Sequence, residues 1–146
     1  MSEVKYESKI VSCASSLGAI YHVCSDLRHM EKACEMMPKD KVQELECHED
    51  FVRFKVDGLG QKIGVRIVGK EEDDYIKFGL ENAPVDGNFW IQLKQSGDGE
   101  TCMKLTLKAD LPLMFKMMLD KKLQEGIDQA AEMMAKMPFD EWVKEA

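Results

Sequence analysis

The sequence predicts an α+β fold built on an antiparallel sheet, and three observations lead to this prediction. Six segments between residues 42 and 109 alternate apolar and polar side chains, as half-buried strands do. Another alternating segment and two short helical patterns precede this run, and a long amphipathic helix follows it at about 113–137. A run of strands between helices is typical of α+β domains, and a twisted sheet of about seven strands curls.

Each predicted strand offers one apolar face that needs covering. In the first strand Tyr6, Ser8 and Ile10 share a face, and the charged residues between them share the other. The turn Gly97-Asp98-Gly99 should join the last two strands as a hairpin. The strands are expected at residues 5–12, 42–47, 51–56, 61–68, 75–80, 89–95 and 102–109.

Three helices are expected, and the last of them should cover that apolar face. Ser15 can cap the first, over about 17–27, because its hydroxyl can accept a hydrogen bond from a free backbone N–H. The second spans about 30–37 and ends before a proline. Asp110 is expected to cap the third, whose apolar stripe should pack across the sheet. A straight helix need not fill the space over a curled sheet, so a pocket is expected there. The stripe consists of Phe115, Leu119, Leu123, Ile127, Ala130 and Met134.

Length and composition indicate one globular domain. The 146 residues are 45% apolar and 32% charged, unlike a disordered chain. We expect a single domain over residues 1–146, with its core at about 4–136 and a C-terminal tail at 137–146. The formal charge of -7 argues against a phosphate backbone as the main partner, so no nucleic-acid binding is expected.

The lack of a recognisable targeting signal and the pattern of cysteines predict a cytoplasmic protein. The first residues lack the apolar region of a secretory signal, and no stretch is long and apolar enough for a membrane span. The five cysteines are odd in number and include no CxxC motif, which fits free thiols in a reducing compartment. No cofactor motif and no cluster of metal ligands is apparent, so neither is expected.

Several short motifs occur in the order and spacing of one superfamily. The first helix opens with Ala14-Ser15-Ser16 and Ile20-Tyr21, which resembles an Ala-Ser-Pro-x-x-Val-Tyr/Trp pattern. Similar markers elsewhere are Ser25-Asp26-Leu27, Met36-Met37-Pro38, the hairpin return Gly99-Glu100-Thr101-Cys102-Met103-Lys104-Leu105, and Gly126 in the closing helix. Together they resemble the helix-grip superfamily, which includes START, Bet v 1 and polyketide-cyclase-like proteins.

This resemblance implies a curved antiparallel sheet that grips a long C-terminal helix, with two short helices after the first strand. Members of the superfamily enclose apolar ligands. They share a fold and not one active site, so the resemblance assigns no catalytic residue here.

A few polar residues invite a second interpretation. His22 and Asp26 lie four residues apart on one helix face, where they would form either a metal or acid–base pair or a plain surface pair. His29 and His48 fall near element ends and are expected to be exposed. Gly126 interrupts the last helix, either to leave room for a ligand or to allow close approach to the sheet.

The leading functional hypothesis is non-enzymatic binding or carriage of a small apolar or amphipathic molecule. One alternative is an enzyme of the cyclase or dehydratase kind, which would need an acid or base facing the cavity. Another is a protein-interaction module that uses the outer sheet face, where Tyr75 and Trp90 stand among lysines. We expect a monomer, with Trp90 covered by lysine stems, and a homodimer is the alternative. The expected cavity wall consists of Phe54, Val65, Ile67, Phe78, Ile91, Leu107, Leu119, Leu123 and Ile127.

Overall fold

The computed structural model describes residues 2–35, 42–56, 61–83 and 85–144. The motif Met36-Met37-Pro38 and the expected end of the second helix lie outside these residues. The strands are β1 (Ser2–Glu7), β2 (Val11–Cys13), β3 (Val42–Cys47), β4 (Phe51–Val56), β5 (Lys62–Glu71), β6 (Tyr75–Glu81), β7 (Gly87–Gly97) and β8 (Glu100–Leu111). The helices are α1 (Leu17–Cys24), a 3₁₀ helix (Leu27–His29), α2 (Met30–Glu35), α3 (Leu113–Ala135) and α4 (Phe139–Lys144).

The described strands form one antiparallel sheet in the order β1-β8-β7-β6-β5-β4-β3, and β2 also pairs with β8. Consecutive strands from β3 to β8 are therefore neighbours, joined as a meander. The predicted α+β class, with a curved antiparallel sheet and a long C-terminal helix, is confirmed. The sheet has eight strands instead of about seven, because the first predicted strand is divided into two.

A one-residue bulge divides that first strand. The Ser8 backbone exchanges a hydrogen bond with Leu105, since its N–H donates to the Leu105 carbonyl at 2.8 Å. The Ser8 hydroxyl accepts from the Leu105 N–H at 2.9 Å, so both polar groups of Leu105 are paired. One extra residue then separates this pair from the next, Val11 with Met103. The bulge turns Ile10 outward, where it is 70% exposed, and the prediction that Ile10 shares the buried face was wrong.

The start of α1 is anchored from two sides. Its cap is Ser16 and not Ser15, because the Ser16 hydroxyl accepts from the Ala19 N–H at 3.3 Å. Ser15 is buried instead, and its carbonyl accepts from the Thr101 hydroxyl at 2.9 Å. The Asp140 carboxylate in α4 accepts from both the Ser16 N–H and the Ser16 hydroxyl, at 3.1 and 2.8 Å. The first helix is thus tied to the last.

Helix α3 lies over one edge of the sheet. It starts directly after Pro112, and the expected cap Asp110 belongs to β8. Its contacts are with β8, β1 and β2. Polar bonds fix it there: the Tyr6 hydroxyl donates to Asp120 at 2.6 Å, and the Lys9 N–H donates to Asp128 at 2.8 Å. The helix therefore follows the β1 edge and does not cross the sheet as predicted.

The apolar stripe of α3 is buried unevenly as a result. Ile127 is buried and Leu123 is half-buried against the core, whereas Phe115 is 48% exposed. Phe115 was predicted to face the sheet, but in the first turn of α3 about half of its surface is in solvent. No helix among the described residues is long and apolar enough to cross a membrane.

Two alanine substitutions on α3 should differ in their cost. Leu123→Ala is expected to lower the free energy of unfolding by about 1–2 kcal/mol, below the roughly 2–5 kcal/mol typical of a fully buried leucine. Phe115→Ala should cost less than Leu123→Ala, because about half of the surface of Phe115 is already in solvent. Urea denaturation of both variants measures this, and a larger cost for Phe115→Ala would contradict the position of α3.

The residues after α3 belong to the core. Met137 and Phe139 are both buried, and the Phe139 ring packs edge-on against Trp142 with centroids 5.8 Å apart. Helix α4 contacts α1, to which Asp140 is bonded. The boundary placed at residue 136 is therefore too early, because the last helix completes the hydrophobic core.

Candidate functional site

An apolar cavity of about 400 Å³ lies between the inner sheet face and the helical segments at one end of the molecule. Its exposed wall is almost entirely apolar. The sheet contributes Val52, Phe54, Val65, Phe78, Gly79, Leu80, Phe89, Ile91 and Leu107. The helical segments contribute Val23, Cys24, Asp26, Leu27, His29, Met30, Ala130, Met133, Met134, Met137, Phe139 and Trp142.

The structure brings part of the expected wall together. The residues that line the cavity are Phe54, Val65, Phe78, Ile91 and Leu107. The residues that do not line it are Ile67, Leu119, Leu123 and Ile127. The three helix residues are displaced because α3 follows the β1 edge, so only its last turns reach the cavity. Ile67 packs against the core beside a bulge that shifts the pairing of β5 with β6.

Four residues near the end of α3 form the part of the wall that the sequence reasoning missed. Ala130, Met133, Met134 and Met137 recur at helical spacing and face the cavity together. The excess of methionine in this segment was a usable signal, because the thioether side chain is pliable and adapts to pockets of irregular shape. Gly126 has neither expected role, because it is exposed with open space where a Cβ would stand.

Phe139 and Trp142 close the cavity from α4. They were assigned to a tail, since a short apolar stretch after a proline carries no periodicity that would place it. Helix α4 is positioned by the bond from Ser16 to Asp140, a contact between residues far apart in the chain.

Two ionisable residues, Asp26 and His29, contribute to the wall. The Asp26 carboxylate accepts from the Arg28 guanidinium Nε at 2.9 Å, and this hydrogen bond lowers the pKa of Asp26 below its ordinary value. His29 Nδ1 lies 3.1 Å from the Asp26 carbonyl oxygen. His29 was expected to be exposed but is partly buried, because the 3₁₀ helix turns it toward the sheet.

Cys24 behaves as an apolar part of the wall. Burial raises the pKa of its thiol to about 12, so the thiol stays protonated at neutral pH. A thiolate is the nucleophilic and metal-binding form of cysteine, and this environment disfavours it.

The remaining histidines, His22 and His48, do not line the cavity. His22 is exposed, and Asp26 bonds to Arg28 instead of to His22, so the expected pair is absent. His48 lies 2.7 Å from Glu46 and stacks on Phe51. Across the residues with described positions, no three cysteine, histidine or acidic side chains gather to hold a metal ion.

The outer sheet face is basic, but much of its charge is paired. Glu7 lies 2.9 Å from the Lys5 ammonium, and Arg66 contacts Glu81 at 3.0 Å. The lysines beside Trp90 are Lys77 and Lys108, whose ammonium groups lie 5.2 and 5.7 Å from its ring centroid. Lysine side chains therefore flank Trp90, as expected.

Solved structures with the same architecture are found at low sequence identity. Norcoclaurine synthase from Thalictrum flavum, solved with dopamine and hydroxybenzaldehyde, has a TM-score of 0.72 and 14% identity over 99% of this chain and 88% of that one. A START superfamily protein from Mycobacterium smegmatis has a TM-score of 0.54 and 17% identity, over 88% and 98%. A Rhizobium loti protein has a TM-score of 0.59 and 13% identity, over 92% and 98%.

No protein-family model matches the sequence, and no curated protein matches it. The likeness to solved structures establishes the fold. This chain has the helix-grip fold expected from its motifs, in the form shared by Bet v 1-like and START proteins.

Proposed function

We propose that this protein binds a small apolar or amphipathic molecule in the cavity without transforming it. The observation that carries the proposal is a cavity of about 400 Å³ with an almost wholly apolar wall. This volume falls in the range of ligand pockets, roughly 300–1,000 Å³. Each Å² of apolar ligand surface removed from water contributes about 25 cal/mol.

The shape of the wall suits ligands that vary in outline. Aromatic rings from β4, β6 and β7 form the sheet side, and the facing side carries Met30, Met133, Met134 and Met137. Methionine changes rotamer at little cost, so this side can adapt while the sheet stays fixed. Norcoclaurine synthase, which has the same fold, was solved with two small aromatic molecules. Small aromatic compounds are thus a sensible first set to screen here.

Catalysis is the weaker proposal, although two ionisable residues reach the wall. The surface that they present is almost entirely apolar. The Asp26 carboxylate is turned to Arg28, which lowers its pKa and makes it a weaker base. A general acid or base must come within hydrogen-bond reach of the substrate. This arrangement favours binding over cyclase or dehydratase chemistry.

The direct test is native mass spectrometry of the freshly purified protein, followed by organic extraction of any compound that co-purifies with it. We expect an adduct that is lost on extraction and is restored by adding the extracted compound. A protein that carries no adduct and binds no apolar compound in a screen would overturn the proposal.

A large side chain that enters the cavity from α3 should weaken ligand binding. Ala130→Phe places a ring in the cavity and is expected to weaken binding of a fluorescent apolar probe at least roughly tenfold. Gln129→Phe adds the same ring one residue away, on an exposed position, and should leave probe affinity unchanged. Titration of both variants measures this, and equal affinities would show that the probe binds elsewhere.

A further inference from the structure

The first two turns of α3 form an exposed apolar segment, residues 113–118, here named the α3 overhang. Its large apolar side chains are Leu113 (63% exposed), Met114 (71%), Phe115 (48%), Met117 (76%) and Met118 (66%). At 3.6 residues per turn, the five side chains cover an arc of about 200° around the axis, and Lys116 occupies the remaining side. An apolar helix face of this width is normally buried.

The parts of the chain that the structure describes leave the overhang largely uncovered. Along α3, the polar bond nearest the overhang is the one from Tyr6 to Asp120, which begins after residue 118. Large contiguous apolar surfaces on a folded protein mark interaction sites. The overhang is therefore a candidate site for binding a partner.

Charge indicates what that partner is. Lysines Lys116, Lys121 and Lys122 lie in or directly after the overhang, and the one carboxylate among residues 113–122, Asp120, is bonded to the Tyr6 hydroxyl. Lys121 has a weak contact with Glu125 at 4.0 Å and is 89% exposed, so its charge is largely available. The segment is locally basic on a chain whose formal charge is -7.

We propose that the α3 overhang docks the protein on the surface of an anionic lipid bilayer. An interfacial helix needs apolar side chains that enter the acyl boundary and lysines that meet the headgroups, and both are present within ten residues. A second copy of this chain fits less well, because pairing two overhangs would bring their lysines together.

The overhang lies at the same end of the sheet as part of the cavity wall. Leu107 on the wall comes shortly before the start of α3, and it pairs with Phe89, also on the wall. Leu80, a third wall residue, lies against the strand position of Gly87, which pairs with Ala109. Docking would thus turn this end of the cavity toward the bilayer. The docking proposal does not depend on what the cavity binds.

Vesicle flotation of the full chain tests the proposal. Vesicles of phosphatidylcholine with phosphatidylglycerol should carry the wild type, and vesicles of phosphatidylcholine alone should carry far less. Met117→Ser combined with Met118→Ser should weaken partitioning at least roughly tenfold. Lys121→Gln combined with Lys122→Gln should weaken it by about tenfold on the anionic vesicles only. The matched control Ile10→Ser, equally exposed but remote from the overhang, should float like the wild type.

Several results would overturn the proposal. These are a wild type that does not float with anionic vesicles, a methionine double variant that floats as well as the wild type, and an Ile10→Ser variant that is equally impaired. A lipid-free dimer that becomes a monomer in the methionine double variant would assign the overhang to a second copy. All substituted side chains are exposed, and urea midpoints will verify folding. If the methionine variant fails that check, the lysine variant decides.

Discussion

Phe139→Ala is expected to lower the free energy of unfolding by about 3–5 kcal/mol, near the top of the range for single substitutions. Phe139 is 1% exposed and lies in α4, where it packs against Trp142 and closes the cavity. Removing the ring enlarges the existing cavity, and few neighbouring side chains are placed to relax into the space that the ring leaves.

Urea denaturation of wild type, Phe139→Ala and Phe139→Leu measures this effect. Phe139→Leu keeps most of the apolar volume and should cost less than half as much as the alanine variant. A cost below about 1 kcal/mol for Phe139→Ala would show that α4 is detached from the core in solution. The same variants report on the site, because loss of α4 packing should also weaken binding of an apolar probe.

Stability should fall between about pH 10 and about pH 12, and Tyr6 should account for a separable part of the loss. Burial, followed by the hydrogen bond and charge of Asp120, raises the pKa of Tyr6 from 10.0 to about 12. Because the pKa is raised in the folded state, the neutral phenol favours folding. That contribution is fully present below pH 10 and is lost as the pH rises to about 12. It amounts to at most roughly 2–3 kcal/mol.

Tyr6→Phe isolates this contribution. The variant should be less stable at neutral pH, because Asp120 loses its hydrogen-bond donor, but it should lose less stability than the wild type at alkaline pH. The pKa of Cys24 is raised to about 12 and the pKa of Lys9 is also raised, so these groups act in the same direction in both proteins. Parallel pH profiles for the two proteins would show that Tyr6 is not held as described.

The element order was readable from the sequence because each strand of the meander alternates on its own. The inward residues of β4 to β8 depend only on period two and on short turns such as the one at Gly99, whose φ is 65°. The bulge at Ser8 could not be read, since it depends on the partner strand, where the Ser8 hydroxyl bonds to Leu105.

The site was only half readable for a related reason. An apolar stripe on a helix tells which face is buried, but not over which strands the helix lies. In α3 that position is fixed by polar bonds from Tyr6 and Lys9 to acidic residues, which no periodicity reveals. Five of the six sheet residues expected in the wall therefore line the cavity and Ile67 does not, while none of the three expected helix residues lines it. The contribution of α4 to the wall was not predicted, because its six residues are too few to show a periodic pattern.

The bond between Ser16 and Asp140 has a consequence for synthesis of the chain. Residues that are 124 positions apart meet at the start of α1, and β1 pairs with β8 along its whole length. The closing contacts are thus among the most non-local in the fold, and such topologies fold slowly because large loops must close first. The side of the cavity that Phe139 and Trp142 form therefore takes shape only after the ribosome has synthesised α4, whichever parts of the sheet have already folded.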